Sequence, residues 1–291
     1  GTKRIRLDKK EYVEVTYPGA DDNASGISVM LELAKYFVTK RNNLRPLVFI
    51  AFTGEESGCL GSKYYINKYL NTKTDKIFGM INIDSVGRLG EQSLKILGSN
   101  TAREWSYIFH GCSMKTGVKI SCIPKMLDSS DQISFIKKNI PAVQIFSGTH
   151  LDYHTPNDTV EKIDIHGLIK VTKILKEAVE YLGNRIIPLN KNIKKNQILK
   201  KIGKRKARLG IIPDFANNAR GVLLKGVVKN SPAQKAGLKK GYILVGLGKF
   251  SINTLYDLAK ALKFYEPGQQ VVIVYIHNKI KRTGKIILGK K

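Results

Sequence analysis

The chain is short of acid, of cysteine and of long apolar runs. Against 50 lysines and arginines stand 23 aspartates and glutamates, a net charge of +27. Such a surplus raises the question of nucleic acid or a membrane surface. The charge is mostly lysine and is spread along the sequence. No zinc-finger, helix-turn-helix or aromatic RNA-binding signature accompanies it, so no specific nucleic-acid partner is expected. The densest basic run, 200–208, reads as a solvated linker. Cys59, Cys112 and Cys122 are the three cysteines and form no CxxC pair; the odd count leaves room for one disulfide that spacing cannot define. No apolar run approaches the roughly 20 residues of a membrane-spanning helix, so no transmembrane segment is expected. The basic start Gly1–Arg6 is not followed by the apolar stretch of a leader peptide, and position 1 is not Met; a processed or shortened start fits both.

What the sequence does hold is alternation. With 291 residues there is room for two domains. Ile27, Met30, Leu31, Leu33, Ala34 and Phe37 recur at helical spacing within Asn23–Lys40. Leu47–Phe52, Ile77–Ile83 and Ala142–Phe146 are nearly unbroken apolar runs, as in strands buried on both faces. Leu94–Leu97 reads as a shorter strand. Gly61–Leu70, Arg103–Met114, Ser129–Lys138 (capped by Ser129 or Ser130) and the amphipathic Asp158–Leu182 read as helices. The expected fold is therefore α/β with a mostly parallel sheet over 1–185. A Lys-rich linker is expected at 186–206. A small β-rich module follows over 207–291, with strands near Gly221–Val228, Ile243–Val245, Val271–Ile276 and Ile280–Leu288 and a helix near Asn253–Phe264.

Ligand-type side chains gather where these strands end, which is where open α/β sheets form sites. Asp84 ends one apolar run, Glu55-Glu56 follow another, Asp22 precedes a helix, and His154 lies in a loop after Ala142–Phe146. Carboxylates and an imidazole drawn from separate elements suit zinc. Each also has a plainer role. Asp22 or Asn23 can cap the helix, Asp84 can serve a turn before Gly87, and the glutamates can be solvated. His150 and His154 share the i, i+4 spacing of a helical zinc site, but Leu151 follows the first and Pro156 the second, so a loop supplying one ligand is expected.

Together the motifs Gly19-Ala20-Asp21-Asp22-Asn23-Ala24-Ser25-Gly26, Phe52-Thr53-Gly54-Glu55-Glu56-Ser57-Gly58, Asn82-Ile83-Asp84-Ser85-Val86-Gly87, Ser130-Asp131-Gln132 and Asp152-Tyr153-His154-Thr155-Pro156-Asn157-Asp158-Thr159 resemble the co-catalytic zinc aminopeptidases, a family that includes bacterial leucyl aminopeptidases and aminopeptidase Y. The resemblance covers about Tyr17–Leu182 in the family's motif order. It implies two zinc ions, with Asp22 bridging, Glu56 and His154 completing one site and Asp84 belonging to the other. It implies Glu55 as general base, Tyr153 as donor to the developing oxyanion, and peptides with a free N-terminus as substrates. Location in the cell envelope or secretion is the family's leaning.

The last segment resembles a bacterial-type PDZ domain through Leu209-Gly210-Ile211, Val222–Val228, Ser231-Pro232-Ala233 and the helix near Leu255–Leu262. That resemblance implies a C-terminal peptide ligand whose carboxylate meets the amides of Leu209, Gly210 and Ile211. One departure is Gly241-Tyr242 where Gly-Asp is usual. A larger one concerns the zinc site. The family has a histidine upstream of the bridging aspartate, and none of His110, His150, His154, His166 and His277 precedes Asp22. Gly1–Pro18 resembles the loop that links that histidine to Gly19. An N-terminally shortened peptidase domain, with impaired activity, is the expectation. The alternatives are an inactive protein that binds peptides through its PDZ-like domain, and a carboxypeptidase or glutaminyl cyclase relative.

Overall fold

The structure is a computed structural model that describes residues 1–6, 12–40, 44–70, 76–124, 130–193, 206–214 and 220–290. Most of the expected linker 186–206, most of the basic run 200–208, and Ser129 lie outside the described residues. The chain divides into two compact units, residues 1–148 with 152–199, and 149–151 with 200–291.

The first unit opens with an antiparallel hairpin, β1 (Thr2–Arg6) with β2 (Tyr12–Thr16), where a plain loop was expected. Then come α1 (Gly26–Thr39), α2 (Leu60–Lys68), β3 (Met80–Ile83), β4 (Leu94–Leu97), α3 (Glu104–Thr116), β5 (Ile120–Ile123), α4 (Gln132–Ile136), β6 (Ala142–Phe146) and α5 (Ile165–Asn184). The sheet order is β3-β6-β4-β5, with β3 parallel to β6, β4 antiparallel to β6, and β5 parallel to β4. It is a mixed, mostly parallel α/β sheet.

Apolar spacing explains the packing. All five residues of β6 are buried, as a central strand requires. Helix α1 buries Val29, Leu33 and Phe37, and α5 buries Val171, Ile174, Leu175 and Ala178, one stripe each. These stripes close on Trp105, Phe109 and Ile145 in a single core. Among the described residues no helix is long and apolar enough to cross a membrane, and Cys59, Cys112 and Cys122 are all free thiols, so the disulfide that the count left room for is not made.

Several expected elements are corrected. Leu47–Phe52 forms no strand; its sequence suits one, but no described strand lies beside it to complete a ladder. Ile77–Ile83 is a strand only over Met80–Ile83. The final helix begins at Ile165, not Asp158, and its cap is Asp164, whose side chain accepts the Gly167 N–H. Ser130 does not cap the short α4; Asp131 occupies the cap position without a side-chain bond. β5, with only two of its residues strongly apolar, was not anticipated.

The second unit has β7 (Ala207–Arg208), β8 (Ile211–Pro213), β9 (Val222–Val227), α6 (Pro232–Lys235), β10 (Ile243–Leu247), β11 (Phe250–Ser251), α7 (Leu255–Phe264), β12 (Gln270–His277), β13 (Ile280–Ile287) and β14 (Gly289–Lys290). Its main sheet, β13-β12-β10-β9-β8, is antiparallel throughout. Thr254 and Asp257 form a reciprocal capping box at the start of α7. That helix buries Leu258, Ala261 and Leu262 against Leu244 and Ile273.

Candidate metal centre

The site begins with the loop between Gly19 and α1. Asn23 holds the helix start against the end of β3. Its Oδ1 accepts the Gly26 N–H at 3.2 Å and the Ser85 N–H at 3.1 Å, while its Nδ2 donates to the Ile83 carbonyl at 2.9 Å. Approach is so close that a Cβ on Gly26 would lie 2.5 Å from the Ile83 carbonyl oxygen. With Asn23 doing the capping, the carboxylate of Asp22 is left for the site. Its backbone is fixed from a distance: Asp158 accepts the N–H of Asp21 at 3.0 Å and of Asp22 at 3.0 Å. Asp21 in turn accepts the Gly87 N–H at 2.5 Å.

Three of the four sequence-predicted ligands converge. Ligand atoms of Asp22, Glu56 and His154 lie within 4.8 Å of one another. His154 Nε2 is 2.9 Å from Asp22 Oδ2 and 2.6 Å from Glu56 Oε1. The imidazole is aimed by a tight turn in which the Asp152 carbonyl accepts the Thr155 N–H at 3.0 Å and its hydroxyl at 2.7 Å. Within that turn His154 has φ 57, a left-handed conformation uncommon for a non-glycine residue. His150 is not part of the group. Burial works against a charge on His154, but hydrogen bonds to Asp22 and Glu56 prevail and raise its pKa to about 10. The proton so held lies where a cation would replace it.

Asp84 lies close enough to Asp22 to feel its charge but is not in the tight group. Its carboxylate is held from within the sheet, accepting the Ser85 hydroxyl at 3.0 Å and the Gln144 amide at 3.1 Å. Gln144 sits beside Asn82 in the β3–β6 register, and Gln132 links the two, donating to Gln144 and accepting from Asn82, each at 3.0 Å. Burial first, then the charge of Asp22, pushes Asp84 up to about 6. Glu55 is pushed up to about 8, by burial and then by Asp84, Glu56, Asp131 and Asp22. Tyr153 stacks on the His154 ring at 3.8 Å; although the side chain is 37% exposed, partial desolvation and then the charges of Asp22, Asp84, Glu56 and Glu55 raise its pKa, so its phenol keeps its proton.

A mixed nitrogen and oxygen donor set, negatively charged and drawn from separate loops, fits a zinc ion. The pattern of peptidase family M28 matches residues 7–179, and that of the PDZ domain matches residues 207–288. The chain belongs to peptidase family M28. Aminopeptidase YwaD of Bacillus subtilis is 29% identical over 61% of this chain and 42% of its own length. A probable leucine aminopeptidase of Arthroderma benhamiae is 30% identical over 63% of this chain and 53% of its own. Among solved structures, a zinc aminopeptidase from Bacillus subtilis superposes with a TM-score of 0.51 at 26% identity, covering 61% of this chain and 47% of that one. The Legionella pneumophila aminopeptidase LapA shares the fold with a TM-score of 0.53 at 20% identity, covering 64% of this chain and 59% of that one. The chain spans about half the length of the curated relatives it matches.

Within this M28 domain two participants carried no role in the sequence reading. Asp158 stands inside the Thr155–Thr159 motif, yet nothing local marks it as the acceptor for the Asp22 loop. Gln144, a polar residue in a fully buried strand, was the available signal for a partner to Asp84.

Proposed function

We propose that the chain is a metallo-aminopeptidase domain, hydrolysing N-terminal residues from peptides, joined to a peptide-binding PDZ domain. The observation that carries this reading is the convergence of Asp22, Glu56 and His154 within 4.8 Å beside Glu55. Zinc would be held by these three, and Asp22 together with Asp84, which feels its charge, would hold a second ion. When bound, zinc supplies Lewis acidity and lowers the pKa of water toward neutrality. Glu55 then takes the proton of the attacking water and returns it to the leaving amine. Next to bound cations its carboxylate ionises below the value of about 8 that it has among unneutralised carboxylates. Tyr153, kept protonated, donates to the oxygen on which negative charge develops. The remaining carboxylates receive the free α-ammonium of the substrate.

Residues 1–291 supply the Asp22–Asp84 side with carboxylates and no imidazole. We expect a second ion to bind there weakly and activity to be impaired accordingly. In the PDZ domain, the carbonyls of Leu209 and Gly210 already accept bonds from Ala233, Val228 and Ser231. The amides of Leu209, Gly210 and Ile211 would meet a peptide's terminal carboxylate while the peptide extends along β8.

Hydrolysis of a chromogenic leucyl substrate, before and after chelation and zinc restoration, tests the reading. Activity that zinc restores supports it. A chain that binds zinc but cleaves no free N-terminus would leave only the peptide-binding role.

A further inference from the structure

In the second unit β8 is the last strand of its sheet, and its ladder partner among the described residues is β9 alone. The register fixes which backbone groups face the other edge. Ile211 lies opposite Val227 and Ile212 opposite Gly226. The Gly210 carbonyl accepts the Val228 N–H at 2.8 Å, and the Asp214 N–H donates to the Leu223 carbonyl at 2.8 Å. Backbone groups of an antiparallel strand turn to its two neighbours alternately. Residues 210, 212 and 214 therefore face β9, while Ile211 and Pro213 face the open edge.

These two open-edge residues differ in what they can offer. Ile211 presents both an N–H and a carbonyl. Proline has no N–H, so position 213 has nothing to donate to an added strand. Its carbonyl already accepts the Thr149 hydroxyl at 2.9 Å, and Thr149 belongs to the same compact unit. The proline does not weaken the domain's own sheet, because its nitrogen points away from β9. The surroundings of Ile211 are apolar. Ile211 and Leu255 are partly buried against a core that includes Leu209, Leu258 and Leu262.

We propose that Pro213 ends the peptide ladder, so that the PDZ domain selects its ligands by the terminal carboxylate and one apolar last residue, with little selection upstream. The carboxylate sits at the start of β8 and the peptide runs antiparallel to the strand. The last residue's N–H then meets the Ile211 carbonyl. The carbonyl two residues upstream points at Pro213, where no N–H awaits it. The ligand class is any polypeptide with an accessible apolar C-terminal residue. The proposal rests on the peptide-binding reading of the PDZ domain given above and narrows it to this class.

Fluorescence anisotropy on the full chain tests it, with N-terminally labelled alanine hexapeptides ending in Val, Ile, Leu or Phe and a free carboxylate. The tightest of the four is carried forward. Shortening it to three residues, or placing Asp, Lys or Gly two residues before its end, should change Kd by less than about threefold, below the worth of one good hydrogen bond. Pro213→Ala supplies the missing N–H and should bind the hexapeptide about three- to tenfold more tightly than the parent does. A parent that loses about tenfold on shortening or on substitution upstream would overturn the proposal while leaving peptide binding intact. So would a folded Pro213→Ala chain that binds no more tightly. Failure to bind any of the four, or binding that survives amidation of the carboxylate, would overturn the peptide-binding reading itself and the proposal with it. The length and substitution series use the parent alone and decide the question even if Pro213→Ala does not fold.

Discussion

Asp158 accepts the backbone N–H of Asp22 at 3.0 Å, across 136 positions of sequence. It also accepts the N–H of Asp21 and lies 3.6 Å from the Arg88 guanidinium. The loop that carries Asp22 before α1 is therefore shaped by the loop that carries His154, and the two halves of the candidate metal centre are built as one piece.

Replacing Asp158 by alanine strands one buried and one partly buried amide and removes a partner of Arg88. Hydrogen bonds to a charged group are worth about 1.5–3 kcal/mol each, and the loss of two should cost about 3–6 kcal/mol of stability at full additivity. Urea unfolding of Asp158→Ala checks this. Zinc affinity should fall with it, because the Asp22 carboxylate is no longer held in place.

The paired glutamates should separate by readout. With Glu55 as the proposed base, Glu55→Gln is expected to lower kcat about 10²–10⁴-fold while zinc affinity stays near that of the parent. With Glu56 as a proposed ligand, Glu56→Gln should weaken zinc binding first. Chelator competition and steady-state kinetics on both variants check the division, and equal effects on zinc affinity would contradict it.

Metal-free stability should fall as pH rises. His154 is raised from 6.5 to about 10, Glu55 from 4.5 to about 8 and Asp84 from 3.8 to about 6. Between each pair of values the folded chain keeps a proton that the unfolded chain has lost, so stability declines across that range. The Glu55 and Asp84 contributions decline from about pH 4 to 8, and that of His154 from about 6.5 to 10. Thermal unfolding of the chelated protein at pH 5, 7 and 9 should give steadily lower Tm values. Glu55→Gln should flatten the profile below pH 8.

The core of the first unit depends on Trp105, which is fully buried and donates from its indole to the Thr101 hydroxyl at 3.0 Å. Trp105→Ala should destabilise that unit by about 3–5 kcal/mol. Calorimetry on the variant reads this directly.

Gly210 lies in the middle of the carboxylate-binding loop proposed for the PDZ domain. It has φ +72, and a Cβ there would lie 2.3 Å from the Ser231 Cβ. Gly210→Val should abolish binding of C-terminal peptides, measured by fluorescence anisotropy, without changing zinc affinity.

Much of this was legible in the sequence where the signal is local. The apolar stripe of α5 and the unbroken run of β6 announce themselves by periodicity. Asp22, Glu56 and His154 drew notice because Asp22 precedes a helix, Glu56 follows an apolar run and His154 lies in a loop after β6. Pairing is less local. Leu47–Phe52 has a strand's composition, but a strand exists only beside a partner, and none of the described strands lies there. Asp158 and Gln144 escaped for the same reason, since their work is done on residues 136 and 60 positions away. Asn23 took the capping role that could equally have fallen to Asp22, and only the fold distinguishes the two.

The central claim is that Asp22, Glu56 and His154 hold zinc. Competition of the purified chain against a chromophoric chelator, alongside His154→Ala, tests it most directly. The account predicts one tightly held zinc per chain, a second bound weakly, and loss of the tight one in His154→Ala. A parent chain that takes up no zinc, or a variant that keeps it, would contradict the account.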